Sequence, residues 1–395
     1  MEIAPMTPMQ GPCQPFPDWM NPTSAACFHA HCGHNGGMPL PEPCRPVLPA
    51  ALALCAALAA GGPSLAGGEV LLVPNSGTDT IWAVSPVDGA VISQQFIPNP
   101  GNLMGQPIQA IPSGTGTILV TDEVRKSVFE FAANGTYIRT LAGPKQGVLG
   151  AYSLCVRDGF VYFTSGSGIS TSQGVIYKVA LSGGPVTVFS DWMTVGAPRG
   201  IQPFGTGFLV GNSTDDDLEI VSATGQVAAT PFHDSDGALS IDFPQQIKKL
   251  EKGQIVGSAW MVSGFSDPSG IHLFSANGTS NGWYGAGTSP RGCHMLPNGD
   301  ILFTAGTQIR RIDMTSGSSV VLFDGGSSSS FRFIDLYAPP APCAADVDGS
   351  GTVDGADLAA VLAAWGSADP AADVNDSGTV DASDLAVILA AWGAC

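Results

Sequence analysis

The feature that most constrains this chain is a repeat. One pattern recurs six times across its middle: a glycine, an apolar run, a polar turn, a second apolar run, a glycine-bearing turn and a third apolar run. The copies start at Gly68, Gly116, Gly159, Gly207, Gly253 and Gly299, at spacings of 48, 43, 48, 46 and 46 residues. Each is preceded by a further short strand-like segment, such as Pro198-Arg199-Gly200-Ile201-Gln202 or Pro290-Arg291-Gly292-Cys293-His294. Four strands in about 45 residues is the arithmetic of a β-propeller blade. One blade cannot bury both of its faces, so the blades must stack around a ring. The first copy lacks its preceding strand, whereas Ser330–Leu336 trails the last copy without a blade. Lending that orphan to the first copy completes six blades and removes the open edges. The predicted fold is mainly β, a six-bladed propeller over residues 67–337, with a small α-helical module over residues 343–395.

Composition narrows the function. The chain of 395 residues carries 33 acidic against 15 basic residues, a net charge of −18. So few cations exclude a nucleic-acid footprint and argue against docking on anionic membranes. The one long apolar run, Val47–Ala60, is too short to span a bilayer.

That run follows Arg45 and precedes the small-x-small site Ser64-Leu65-Ala66, the pattern of a secretory signal peptide. Met38 stands at the right distance to begin it. Residues 1–37 are therefore expected to be a mis-annotated extension, 38–66 the signal, and the protein to be secreted after cleavage near Ala66. Two cysteines and three histidines between Cys27 and His34 could hold a transition metal, but they fall in the extension. Of the later cysteines, Cys155 and Cys293 belong to opposite blades and are expected to be free thiols.

Aligning the six copies puts Arg332, Gln106, Ala151, Arg199, Gln245 and Arg291 in one column ahead of the innermost strands. Arg199, Arg291 and Arg332 would then share one rim of the central channel. Arginine forks suit carboxylates and phosphates, so these three are the candidate residues for an anionic or saccharide ligand. An arginine here can also pair with a blade acid such as Asp335 or brace a loop carbonyl, which is the commoner role. A second column carries Asn75, Asp122, Ser165 and Asn212, residues that often cap turns. There is no Gly-x-Ser-x-Gly elbow, and His233, His272 and His294 stand in blades without recognisable partners.

The turn pattern and the Pro-x-Gly entry to the inner strand resemble those of NHL-type and TolB-like six-bladed propellers. That resemblance implies a scaffold or an enzyme of the gluconolactonase or streptogramin-lyase kind. The lactonases hold a divalent metal with Glu, Asn and Asp. Asn75, Asp122 and Asn212 match in type, but no inner-strand Glu does.

After the proline-rich linker 338–342 the text changes. Asp346-Val-Asp-Gly-Ser-Gly-Thr-Val-Asp-Gly-Ala-Asp357 puts oxygen ligands at positions 1, 3, 5, 7, 9 and 12, with glycine at 6, the spacing of a calcium loop. It recurs 27 residues later from Asp373 to Asp384. Nine acids and no basic residue fall within 343–395, and carboxylates so dense repel one another without a cation. Leu358, Val361, Leu362 and Trp365 follow the first loop; Leu385, Ile388, Leu389 and Trp392 follow the second. Each set marks one apolar helical face, so the two helices are expected to pack together on them.

Asp at position 12 and one loop-plus-helix per repeat, in tandem, resemble a type I dockerin. The resemblance implies two bound Ca²⁺ ions. The first set of ligands is Asp346, Asp348, Ser350, Thr352 (carbonyl), Asp354 and Asp357; the second is Asp373, Asn375, Ser377, Thr379 (carbonyl), Asp381 and Asp384. It implies a cohesin-like or other surface-protein partner for residues 343–395. Positions 10 and 11, Gly355-Ala356 and Ala382-Ser383, depart from the usual hydroxyl pairs, which points away from a standard cohesin. The dockerin fold brings its ends together, implying a Cys343–Cys395 disulfide worth about 4 kcal/mol in the chain-entropy model. The whole reads as a secreted calcium-binding protein whose module anchors a ligand-binding propeller to an extracellular assembly linked to polysaccharide processing. A carbohydrate-acting propeller lyase or lactonase is the alternative.

Overall fold

The computed structural model describes residues 68–166, 174–191, 195–235, 241–250, 253–260, 269–285, 288–339 and 343–394. The upstream extension with its Cys27–His34 cluster, the signal segment, most of the linker and Cys395 lie outside the described residues. Six antiparallel sheets form the blades of a propeller, each built outwards from an innermost strand. In that order, blade 1 is Asp335–Tyr337, Val70–Asn75, Thr80–Val84 and Val91–Ile97; blade 2 is Pro107–Pro112, Ile118–Asp122, Ser127–Phe131 and Tyr137–Ala142. Blade 3 is Leu154–Arg157, Phe160–Ser165, Val175–Ala180 and Thr187–Ser190. Blade 4 is Pro198–Phe204, Gly207–Asn212 and Asp217–Val221. Blade 5 is Pro244–Lys249, Ile255–Ala259, Gly270–Phe274 and Ser280–Tyr284, and blade 6 is Gly292–Met295, Ile301–Ala305, Gln308–Ile312 and Ser319–Asp324.

The orphan strand closes the ring as expected. Tyr337, Leu336 and Asp335 pair with Val70, Leu71 and Leu72, and Phe331 bridges to Asn75. The strand beside it shows how a period of two builds a ring. Val70 and Leu72 enter the core shared with blade 2, against Ile118 and Val120. Leu71 and Val73 point the other way, against Leu302, Ile309 and Phe331. All six residues of this strand are buried, whereas outermost strands such as Ser319–Asp324 are largely exposed.

Blade 4 departs from the four-strand expectation. Outside its third strand the described residues form only isolated bridges, Val221 to Val227 and Leu218 to His233. Pro231 lies between them and supplies no backbone donor. The Pro-x-Gly entry also acquires a reason. A Cβ on Gly200 would run into the Gln245 carbonyl of blade 5, and one on Gly292 into the Arg332 carbonyl of blade 1. Neighbouring innermost strands approach so closely there that only glycine fits. Cys155 and Cys293 are free and buried.

The C-terminal residues have their own core of Val353, Val361, Val380 and Ile388. Two short helices, α1 (Gly355–Ala363) and α2 (Ala382–Ala390), each start in a capping box, Asp354 with Asp357 and Asp381 with Asp384. Thr352–Val353 pairs with Gly393–Ala394, bringing the end of the chain back to the first loop. The expected packing on one apolar stripe is only half right. Val361 and Ile388 are buried, but Leu362, Trp365, Leu389 and Trp392 are 49–55% exposed. Asp357 and Asp384 turn inward in the first helical turn, and Val361 and Ile388 follow one turn later. The buried stripe is thereby rotated, leaving Leu362 and Leu389 on its outer edge. Among the described residues, no helix is long and apolar enough to cross a membrane.

Candidate functional site

The three arginines of the aligned column do converge. The charges of Arg291 and Arg199 both bear on Arg332, whose pKa is lowered first by burial and then by Arg291. None of the three has a carboxylate within ion-pairing distance among the described residues. The pairing with Asp335 weighed from the sequence does not occur, because Asp335 binds Lys248 instead, at 3.1 Å. Arg332 donates from Nε to Ser76 Oγ at 2.7 Å. Arg199 lies 4.5 Å from the Tyr152 ring centre and 5.2 Å from that of Phe243, and Arg291 lies 4.7 Å from that of Trp260. Rings hold the guanidinium faces while the N–H edges keep their hydrogen-bonding capacity. Buried Nε of Arg199 has no partner among the described residues.

Below this mouth the channel is stopped by Ile108, Tyr152 and Phe333, one from each of three blades. Beneath the plug lies a polar web that sequence reading missed. Asp335 of blade 1 accepts from Gln109 (2.9 Å), Gln246 (3.0 Å) and Lys248. Gln109 in turn accepts from Ser153 Oγ and the Leu154 amide, and Ser153 Oγ accepts from the Ile201 amide. Gln246 accepts from the Cys293 and Ile334 amides. Every blade is tied into one network. Burial of Asp335 pushes its carboxyl up, and these donors oppose that. His294 joins the web through Nδ1, 3.4 Å from Lys248 Nζ. Burial, reinforced by the Lys248 charge, pushes its pKa down to about 3.

The second column serves turns. Asn75 Oδ1 accepts from the Gly77 and Ser330 amides, and Asp122 accepts from Gly105, Gln106 and Arg125. Asn212 Oδ1 accepts from Ala197 and Thr214. These oxygens are engaged by backbone amides, the turn-capping role that their residue types suggest. Of the other histidines, His233 meets the Gly278 carbonyl through Nδ1 at 3.0 Å, and His272 is fully buried.

In the C-terminal loops the two copies adopt one geometry. Asp346 receives the Ser350 and Gly351 amides, as Asp373 receives those of Ser377 and Gly378. Asp357 receives the Asp348 and Asp354 amides, as Asp384 receives those of Asn375 and Asp381. Gly351 and Gly378, at position 6, have φ of 88° and 90°, which fits the requirement for glycine in the sharp turn. Burial works against ionisation of Asp357, yet the backbone donors prevail and hold its pKa low; at Asp384 the Asp381 amide leads in the same direction. Carboxylate oxygens of Asp346, Asp348 and Asp357 lie within 4.8 Å of one another. Bonds of about 2.4 Å to one shared ion fit that spread, so the donor set suits a hard divalent cation. Cys343 is disulfide-bonded, while its expected partner Cys395 lies outside the described residues.

No family profile matches this chain, and no curated protein does. Among solved structures, one from a nidogen/laminin complex is 14% identical, with a TM-score of 0.52, over 70% of this chain and 100% of that one. That likeness shows the propeller fold. A gluconolactonase from Xanthomonas campestris is 13% identical over 60% of this chain and 79% of its own, with a TM-score of 0.47. A streptogramin B lyase is 16% identical over 56% and 69%, with a TM-score of 0.42. At those scores neither carries an argument about chemistry.

Proposed function

We propose that this is a secreted protein whose propeller binds an anionic saccharide at the arginine mouth, displayed through a calcium-folded, dockerin-like module. The observation that carries the first half is the set of three converging arginines without a carboxylate partner among the described residues. In a protein with twice as many acids as bases, three guanidinium groups without an ion pair on one rim, with Glu123 acting on Arg332 only from beyond ion-pairing distance, are costly unless a ligand supplies the charge. Aromatic rings under the guanidinium groups suit a ligand with both a carboxylate and a flat sugar face.

The second half rests on the duplicated oxygen-donor geometry, which suits two Ca²⁺ ions, held by Asp346, Asp348, Ser350, Thr352, Asp354 and Asp357 and by Asp373, Asn375, Ser377, Thr379, Asp381 and Asp384. Calcium supplies the charge that lets the loops close. The residues themselves fix the helix starts. The half-exposed pairs Leu362/Trp365 and Leu389/Trp392 support docking of a cohesin-like or other surface protein, and Cys343 with Cys395 would clasp the module's ends. The alternative reading, a propeller lyase or lactonase acting on carbohydrate, makes turnover the discriminating readout.

The test is calorimetry of the full chain with a uronic-acid oligosaccharide, alongside product analysis. Saturable binding without turnover, lost in the Arg199→Ala/Arg291→Ala variant, supports the binding reading. Cleavage or lactone opening supports the enzyme. Equal binding by the variant and the parent rejects the arginine mouth.

A further inference from the structure

The other end of the channel, beneath the Ile108–Tyr152–Phe333 plug, opens into a cavity of about 470 Å³, within the size range of small-molecule sites. Its walls are polar and apolar in nearly equal part, the apolar share coming from residues such as Ile111, Val156, Ile201, Ile247, Met295 and Leu336. Its polar side chains are Gln109, Gln202, Lys248, Lys249, His294 and Asp335. The acceptors are already used: both Asp335 oxygens by Lys248, Gln109 and Gln246, and Gln202 Oε1 by the Lys249 amide at 2.6 Å. What is left are donors. Nε2 of Gln202 is buried without a partner among the described residues. A lysine ammonium can only donate, so Nδ1 of His294 is the acceptor in its contact with Lys248. The neutral ring then carries its proton on Nε2, for which no partner is found among the described residues. Lys249 stands exposed at the rim, so the charged lining groups, Lys248 and Lys249 against Asp335, sum to plus one.

We propose that this cavity is a second binding site, distinct from the arginine mouth, for a small monocarboxylate with an apolar tail. Its head meets Gln202 Nε2 and His294 Nε2, and its tail lies on the aliphatic wall. An unpartnered buried amide is destabilising on its own, and a carboxylate head supplies the missing acceptor. A neutral alcohol would satisfy the wall but bring no charge to a net-positive site.

The probe is octanoate, titrated calorimetrically into the full chain, with octan-1-ol as the neutral comparison. Octanoate is expected to bind to the parent and equally to the Arg199→Ala/Arg291→Ala variant, so that failure of the mouth reading and of this one are told apart. Gln202→Leu, which keeps the volume and removes the donor, is expected to weaken binding about tenfold, the equivalent of one good hydrogen bond to a charged group. Leu336→Trp, at a partly exposed position on the cavity lip, is expected to abolish binding while the thermal midpoint stays that of the parent. No binding of octanoate to the parent, binding unaffected by both variants, or octan-1-ol binding as tightly as octanoate would each overturn the assignment.

Discussion

Gly292 stands where two innermost strands come nearest, and an added methyl would meet the Arg332 carbonyl and the Phe333 backbone. Backbone cannot move aside as a flexible side chain can. Gly292→Ala is therefore expected to cost about 1–3 kcal/mol, the usual penalty of overpacking, read as an earlier urea midpoint at unchanged slope. His294 makes a different prediction. Its folded pKa of about 3 lies below the ordinary value of 6.5, so between those values the unfolded chain takes up a proton that the folded one refuses. The stability tied to this ring is complete above pH 6.5 and is lost as pH falls towards 3. His294→Asn should flatten the fall in thermal midpoint between pH 7 and 4 relative to the parent. Carboxylates elsewhere titrate in both proteins and cancel in the comparison. Parallel curves would show that the ring is protonated in the folded state.

At the scale of elements, the first turn of α1 holds an aspartate with two roles. Asp357 closes the capping box of its helix and also contributes an oxygen to the loop cluster. Asp357→Asn keeps a side-chain acceptor but removes the charge. Calcium affinity of the first loop is expected to fall about tenfold or more, consistent with affinity being tuned by ligand charge. The parent's second loop, with Asn375 where the first has Asp348, should fill last in the same titration. Chelation is expected to lower the melting of residues 343–395 and leave the propeller transition in place; one unchanged transition would reject the calcium assignment. The exposed faces separate binding from folding. Leu362→Gln/Trp365→Gln removes apolar surface already half in water, so the module's midpoint should shift by no more than about 0.5 kcal/mol equivalent.

For the whole molecule the decisive element is the closing segment. Phe331 is fully buried and packs edge-on against Trp82 at 4.9 Å, joining the last blade to the first. Phe331→Ala is expected to cost about 3–5 kcal/mol and to split a single propeller transition into two; a single transition at the parent's urea midpoint would show that closure is not what holds the ring. Much of this ring is legible in the chain. The repeat spacing gives the blades, the trailing strand gives the closure, and the shared column gives the three arginines, because a repeated fold writes equivalent positions at a fixed period. What stays hidden keeps the period but not the residue type: Asp335, Gln109, Lys248 and His294 each stand three residues after the column members Arg332, Gln106, Gln245 and Arg291. With Ser153 and Gln246 beside them, these side chains meet only once the ring exists. Also hidden are the outer edge of blade 4, lost to local irregularity, and the helix faces, rotated by aspartates that the apolar spacing alone does not weigh.

The closing strand also fixes an order in time. Val70 emerges from the ribosome 267 residues before Tyr337, its partner across the clasp. At 5–20 residues per second that interval is on the order of 13–50 s, during which a six-residue strand, mostly apolar and wholly buried in the end, has an unpaired edge. Until the last blade is made the nascent chain is an open arc able to pair with another copy of itself. Its safe handling before then falls to whatever binds unfolded chains on the way to their destination.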